Sequence, residues 1–136
     1  MYDIEESNWW YKGMRKILFS LLDTYLKKKK NLKILDAGCG TGINLNYLKK
    51  YGDVTGIDIS DEAIKFSKKR GYKIKKANIE KLPFKDNTFD LVISLEVIYH
   101  KQVKNDIKAL KEIHRVLKKR GLAIIRVPAK KILYRT

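Results

Sequence analysis

Cysteine is almost missing from this sequence of 136 residues: Cys39 stands alone. A single thiol excludes a disulfide framework and a cysteine-built zinc cluster, and its simplest home is a reducing, cytoplasmic interior. Long apolar runs are missing as well, since no stretch approaches the roughly 20 residues that a membrane span needs. The opening MYDIEESNWWY is acidic and aromatic, without the basic start and apolar centre of a signal peptide. Acidic residues are scarce, 15 Asp and Glu against 31 Lys and Arg, so the net charge is +16. That surplus admits a nucleic-acid or anionic-membrane partner. Against it, the lysines are scattered over nearly every expected helix, with one short run at 27–30. No strand interleaves aromatic and basic residues as base-stacking surfaces do. The favoured reading is a solvated lysine-rich surface, a habit of hyperthermophile proteins. No metal site, internal repeat or low-complexity linker is expected.

What the sequence does have is a nine-residue stretch, ILDAGCGTG at 34–42, around which the rest is organised. Apolar residues and an acid lead into glycines at alternate positions, Gly38, Gly40 and Gly42. A helical pattern then begins at Ile43 and Leu45. The reading is strand, tight loop, helix: glycines admit φ > 0 and a close ligand, and the helix start offers free N–H groups.

With 44% hydrophobic residues the chain can close a core, and its length fits one domain. Three parts are expected: an N-terminal helical cap over 1–30, a ligand-binding domain over 31–129 and a short basic tail over 130–136. In the cap, apolar residues from Trp9 to Leu26 recur at three- and four-residue spacing, which predicts an amphipathic helix ending in the lysine run. Strands are predicted over 33–37, 53–58, 72–78, 89–95 and 122–127, and helices over 43–51, 61–70 and 103–119. Ser60 is placed to cap the second of these helices and Gly71 to stop it. The third strand reads as an edge, with Ile74 its only strong aliphatic. The fourth, FDLVISL, is apolar apart from Asp90, as a buried parallel strand should be. The last helix would place Ile107, Leu110, Ile113, His114 and Leu117 on one face. Gly121 would end that helix, and Pro128 would stop the last strand.

Alternation of strands and helices predicts an α/β, Rossmann-like open parallel sheet of about five strands, in the order 3-2-1-4-5, with helices on both faces. Ligands in such sheets sit at the carboxyl ends of the strands, where the order reverses. The glycine loop, Asp58, Asn78 and the segment from Ser94 to Tyr99 all fall at such ends. Asp58 follows Gly40 by 18 residues, close to the ~20 expected of an acid that takes ribose hydroxyls. Ile43, however, stands where a dinucleotide fingerprint wants its third glycine, and no Lys-Ser/Thr follows Gly42 as in a phosphate-binding loop. The pattern favours a phosphate-free adenosine over NAD or ATP.

These motifs together resemble the class I S-adenosylmethionine-dependent methyltransferases. ILDAGCGTG is similar to the family's first motif and GIDIS to its second. KANIEKLPFKDNTFDLVISLEVIYH is similar to the third and fourth, with Asn78 where Asp is commoner, and EIHRVLKKRGLAIIRVPA to the helix and strand that follow. The likeness runs over about 31–129, and ESNWWYKGMRKIL resembles a microbial subgroup with paired tryptophans ahead of the first motif. It implies S-adenosyl-L-methionine as cofactor, with S-adenosylhomocysteine as product, and methyl transfer to an unidentified acceptor by in-line displacement.

The resemblance also implies roles for individual residues. The backbone of Gly38, Cys39 and Gly40, with Gly42, would line the methionine and ribose part. Asp36 would order the loop or reach the amino group, and Asp58 would bind the ribose hydroxyls with Ile59 packing on adenine. Asn78 and Ile79 would meet the adenine edge. Leu95 would lie near the sulfonium, and Arg15 would pair with the cofactor carboxylate under Trp10 and Tyr11. Cys39 reads as a small loop residue. His100 is the candidate catalytic base, ahead of Tyr99 and Glu96, while His114 reads as structural. The family usually adds a helix and an antiparallel strand pair after strand five, whereas only KKILYRT follows Ala129 here. The expectation is a sheet lacking those strands, with an apolar strand-five edge that invites a homodimer. A fragment of a longer protein and a non-catalytic cofactor-binding module are the alternatives, ahead of a basic nucleic-acid binder.

Overall fold

The computed structural model describes residues 7–27 and 29–128; the expected tail at 130–136 lies outside them. Helix α1 (Trp9–Leu26) precedes strand β1 (Leu32–Ala37), helix α2 (Ile43–Leu48) and its 3-10 extension Lys49–Tyr51. There follow β2 (Gly52–Asp58), α3 (Asp61–Lys69), β3 (Ile74–Lys76), β4 (Phe89–Leu95), α4 (Asp106–Val116) and β5 (Leu117–Arg126). The sheet order is β3-β2-β1-β4-β5, and every pairing is parallel. That is the expected open, doubly covered arrangement.

Alternation along β1 builds the two layers. Ile34 faces a cluster with Leu18, Leu22, Leu26, Leu48, Leu91 and Ile93, under α1 and α2. Leu35 and Ala37 face the opposite cluster, with Val92, Ala109, Ile113 and Val116 under α4. Ser60 caps α3 as expected, its Oγ accepting from Ala63 N–H at 3.3 Å, whereas α4 starts after the expected 103, where Asn105 Oδ1 accepts from Lys108 N–H at 3.0 Å.

Three expectations need correction. First, α4 is shorter and turned differently from the expected helix. Its buried stripe is Ala109, Ile113 and Val116, while Ile107, Leu110 and His114 are exposed. The physical reason is Arg115. Its Nε and Nη2 bind the two oxygens of Glu112 at 2.8 and 2.9 Å, Nη1 donates to Phe84 O and Asp86 Oδ1, and Nη2 to Leu82 O. Glu112 also accepts from Leu82 N–H at 2.7 Å. The pair staples α4 to the loop over 82–86 and fixes its rotation. Second, β5 begins at Leu117, because Asn87 N–H and Thr88 N–H bind the carbonyls of Arg115 and Val116 and draw the chain into register with Phe89. Gly121 therefore lies inside the strand, where a Cβ would stand 2.9 Å from Lys118 O. Third, β3 spans only Ile74–Lys76 and not 72–78, although it is the edge strand that its lysines predicted. On α1, only Leu18, Leu22 and Leu26 of the apolar series are buried; Trp9, Trp10, Ile17, Leu21 and Tyr25 are exposed. Among the described residues, β5 pairs with β4 alone and its outer edge is open.

Arg115→Ala is expected to lower the unfolding free energy by about 2–4 kcal/mol, since it strands a half-buried carboxylate and two carbonyls. Urea denaturation reads this, and Arg115→Lys should recover little because one ammonium cannot reproduce the fork. The Arg115 hydrogen bonds hold the Glu112 carboxyl below the ordinary range, against an opposing effect of burial. The corresponding stability is therefore present above the usual Glu pKa and lost as pH falls through the lowered one.

Candidate functional site

At the carboxyl ends of β1, β2, β3 and β4 lies a cavity of about 740 Å³. The glycine loop forms its floor. Gly38 N–H and Cys39 N–H both donate to Ile57 O, at 2.8 and 2.9 Å, and Gly42 N–H to Cys39 O at 2.9 Å, so the loop wraps the end of β2. Gly38 has φ +89°, and a Cβ there would fall 2.3 Å from Val97 Cγ2. Gly40 has φ +54° and open space where its Cβ would be, which leaves its backbone accessible to a ligand. Gly42, with φ +81°, is the N-cap of α2 and packs on Tyr72 and Ser67. It is outside the cavity wall.

Asp58 is the best-anchored acid in the cavity wall. Its Oδ2 accepts from Gly40 N–H and its Oδ1 from Ser60 N–H, both at 2.9 Å. A carboxylate has about four acceptor positions, so two remain for hydroxyl donors. Asp36 is buried, its Oδ2 has no partner, and burial together with the nearby charge of Asp58 pushes its pKa up to about 7. Asn44 Oδ1, also in the wall, is a second buried polar atom without a partner. Burial raises the Cys39 thiol pKa, with the Asp36 and Asp58 charges adding to the effect. That agrees with a packed loop residue rather than a reactive one.

The remaining expected residues sort clearly. Arg15, Tyr11, Ile59, Asn78, Ile79, Leu95, Glu96 and His100 line the cavity, whereas Trp10 and Tyr99 do not. Arg15 lies over the Tyr47 ring, 5.2 Å from its centroid. His100 Nδ1 accepts from Gln102 N–H at 3.3 Å, so the neutral imidazole carries its proton on Nε2 and presents a donor. Its side chain thus caps the turn that follows β4 while it lines the cavity. Arg126, missed in the sequence, donates from Nε to Glu96 Oε1 at 2.8 Å, and Glu96 N–H to Arg126 O at 2.9 Å. This pair closes one wall and holds Glu96 at φ +62°. An arginine at the end of an apolar strand was the available signal. Among the described residues no group of three or more His, Cys, Asp or Glu could hold a metal ion, and no helix is long and apolar enough to cross a membrane.

An open parallel sheet with a glycine loop and an anchored acid at its switch point defines a Rossmann-like domain, an architecture whose ligands sit at that point. Comparison makes the class more particular. Residues 35–125 match the methyltransferase domain family. An uncharacterized protein of Methanocaldococcus jannaschii is 43% identical over 112 residues, covering 80% of this chain and 48% of the relative. The demethylmenaquinone methyltransferase of Staphylococcus aureus is 36% identical over 106 residues, covering 71% of this chain and 43% of the relative. Among solved structures, a protein of Pyrococcus horikoshii superposes with a TM-score of 0.75 at 30% identity, covering 88% of this chain and 58% of the other. The chain belongs to the class I S-adenosylmethionine-dependent methyltransferase family. It spans about half the length of the M. jannaschii relative.

Proposed function

We propose that the protein binds S-adenosyl-L-methionine in this crevice and transfers its methyl group to an acceptor. The observation that carries the reading is Asp58, held by two backbone N–H groups at the lip of the glycine loop with acceptor capacity to spare. The residues present fit the cofactor. Asp58 would take the ribose hydroxyls, and Gly38, Cys39 and Gly40 would line the amino-acid part. The unpartnered oxygen of Asp36 would meet positive charge. When bound, the cofactor supplies a methyl group on a sulfonium, a carbon already activated for displacement.

The chain's own contribution is then position. Aligning donor and acceptor supplies a large share of the rate, and a base is needed only for an acceptor that arrives protonated. Calorimetry with S-adenosylhomocysteine tests the reading. We expect binding at sub-millimolar concentration and a loss of about tenfold or more in Asp58→Ala, in line with the removal of hydrogen bonds to a charged group. A melting curve of the variant shows whether the fold is retained. No binding, or the same affinity in Asp58→Ala, would falsify it. Turnover is read separately with a methyl-labelled cofactor and a panel of acceptors.

A further inference from the structure

Asn78 stands where the family pattern more often has an acid, and its amide is not free to choose its orientation. Ala77 N–H donates to Asp58 O at 3.0 Å and Lys81 N–H to Asn78 O at 3.0 Å, which holds the residue beside the anchored acid. Asn78 Oδ1 accepts from Glu80 N–H at 2.9 Å. Glu80 is itself fixed from the far side, because its carboxylate accepts from Lys104 N–H and Asn105 N–H at 3.2 and 3.1 Å. A flipped amide would set the Nδ2 donor against the Glu80 donor, so the oxygen stays on that side. Nδ2, which has no partner among the described residues, is what Asn78 has left for the cavity it lines.

Resting on the methyltransferase reading above, we infer that Asn78 offers the cofactor's base edge a hydrogen-bond donor in place of a carboxylate acceptor, which relaxes the site's choice of a 6-aminopurine over a 6-oxopurine. The 6-amino group of adenine is a donor, and a donor across from it gains nothing. The 6-oxo group of hypoxanthine is an acceptor and can take the Nδ2 proton. Aspartate at this position would keep the turn by accepting from Glu80 N–H with one oxygen. Its second oxygen would then face the base edge, accepting from a 6-amino group and repelling a 6-oxo group. At the 6-position one atom of residue 78, nitrogen or oxygen, sets the sign of its contribution at constant shape.

The test is calorimetry of S-adenosylhomocysteine and S-inosylhomocysteine on the full chain, for the wild type, Asn78→Asp and Asn78→Ala. Wild type should bind the inosyl compound at least as tightly as the adenosyl compound, by about threefold, the scale of one neutral hydrogen bond. Asn78→Asp should favour the adenosyl compound by about tenfold or more, the scale of one hydrogen bond to a charged group. Asn78→Ala, with neither donor nor acceptor at that position, should lose the preference in either direction, and melting curves confirm that each variant folds. If the wild type already prefers the adenosyl compound by tenfold and Asn78→Asp leaves that ratio unmoved, the inference fails while the methyltransferase reading stands. If no protein binds either compound, both fail.

Discussion

Gly52→Ala should lower the unfolding free energy by more than about 3 kcal/mol or prevent folding altogether, an exceptional cost for one methyl group. Gly52 opens β2 at φ +158° and ψ −153°, and its register partner is Leu32, the first residue of β1. A Cβ on Gly52 would lie 2.0 Å from Leu32 O and 2.5 Å from Leu32 N. Both atoms are backbone, so no rotamer change can relieve the clash, and the two strands would have to part at the centre of the sheet. Gly13→Ala is the control. It sits within α1 with nothing inside 4 Å of its added Cβ, and there the same substitution should stabilise by about 0.5–1 kcal/mol through helix propensity. Urea denaturation of the two variants against wild type decides: Gly52→Ala within 1 kcal/mol of wild type would mean the strand start is looser than its geometry.

How much of this was legible in the sequence depends on how local each cause is. β4 was read to the residue because a continuous apolar run has one reading at that length. β1 and the start of α3 were legible from an apolar run and a capping serine. The limits of α4 and β5 were not, because they are set by contacts distant in sequence: the Arg115 fork reaching residues 82–86 and Thr88 N–H binding Val116 O. A glycine after a helical pattern usually marks its stop. Gly121 instead marks close backbone approach. The outward apolar residues of α1 show the same limit, since periodicity reports an amphipathic helix but not how much of its apolar arc finds a partner.

The site was legible further than the fold, because strand ends in this architecture converge by rule. Arg15, Asp36, Asp58, Asn78 and His100 were placed in one crevice from spacing and resemblance, and the structure brings them there. The directions of hydrogen bonds were not legible. That Asn78 spends its oxygen on Glu80 and His100 its Nδ1 on Gln102 depends on turn geometry that residue type alone does not give. The Glu96–Arg126 pair was equally hidden, for it joins the ends of two strands 30 residues apart.

Asp36→Asn should remove the pH dependence that this buried carboxyl imposes on the stability of the whole chain. The Asp36 pKa is raised to about 7, first by burial and then by Asp58, against about 3.9 in an unfolded chain. Between those values the folded state binds more protons than the unfolded one, so stability falls as pH rises from about 4 to 7 and levels off above. From pH 5 to pH 8 the ionisation of this one group costs about 2–3 kcal/mol. Asparagine carries no such charge. Its stability relative to wild type should therefore improve by that amount over the same interval, whatever the amide costs in unpaired hydrogen bonds at either pH. Ligand binding should show the converse. A positively charged group beside Asp36 favours the ionised carboxylate, so S-adenosylhomocysteine should bind wild type up to about tenfold more tightly at pH 8 than at pH 6 and bind Asp36→Asn with little change. Denaturation at the two pH values reads the first effect and calorimetry the second. A wild type whose stability and affinity both stay flat from pH 5 to pH 8 would show that Asp36 ionises as an ordinary carboxylate, and that the unpartnered oxygen beneath the glycine loop is solvated.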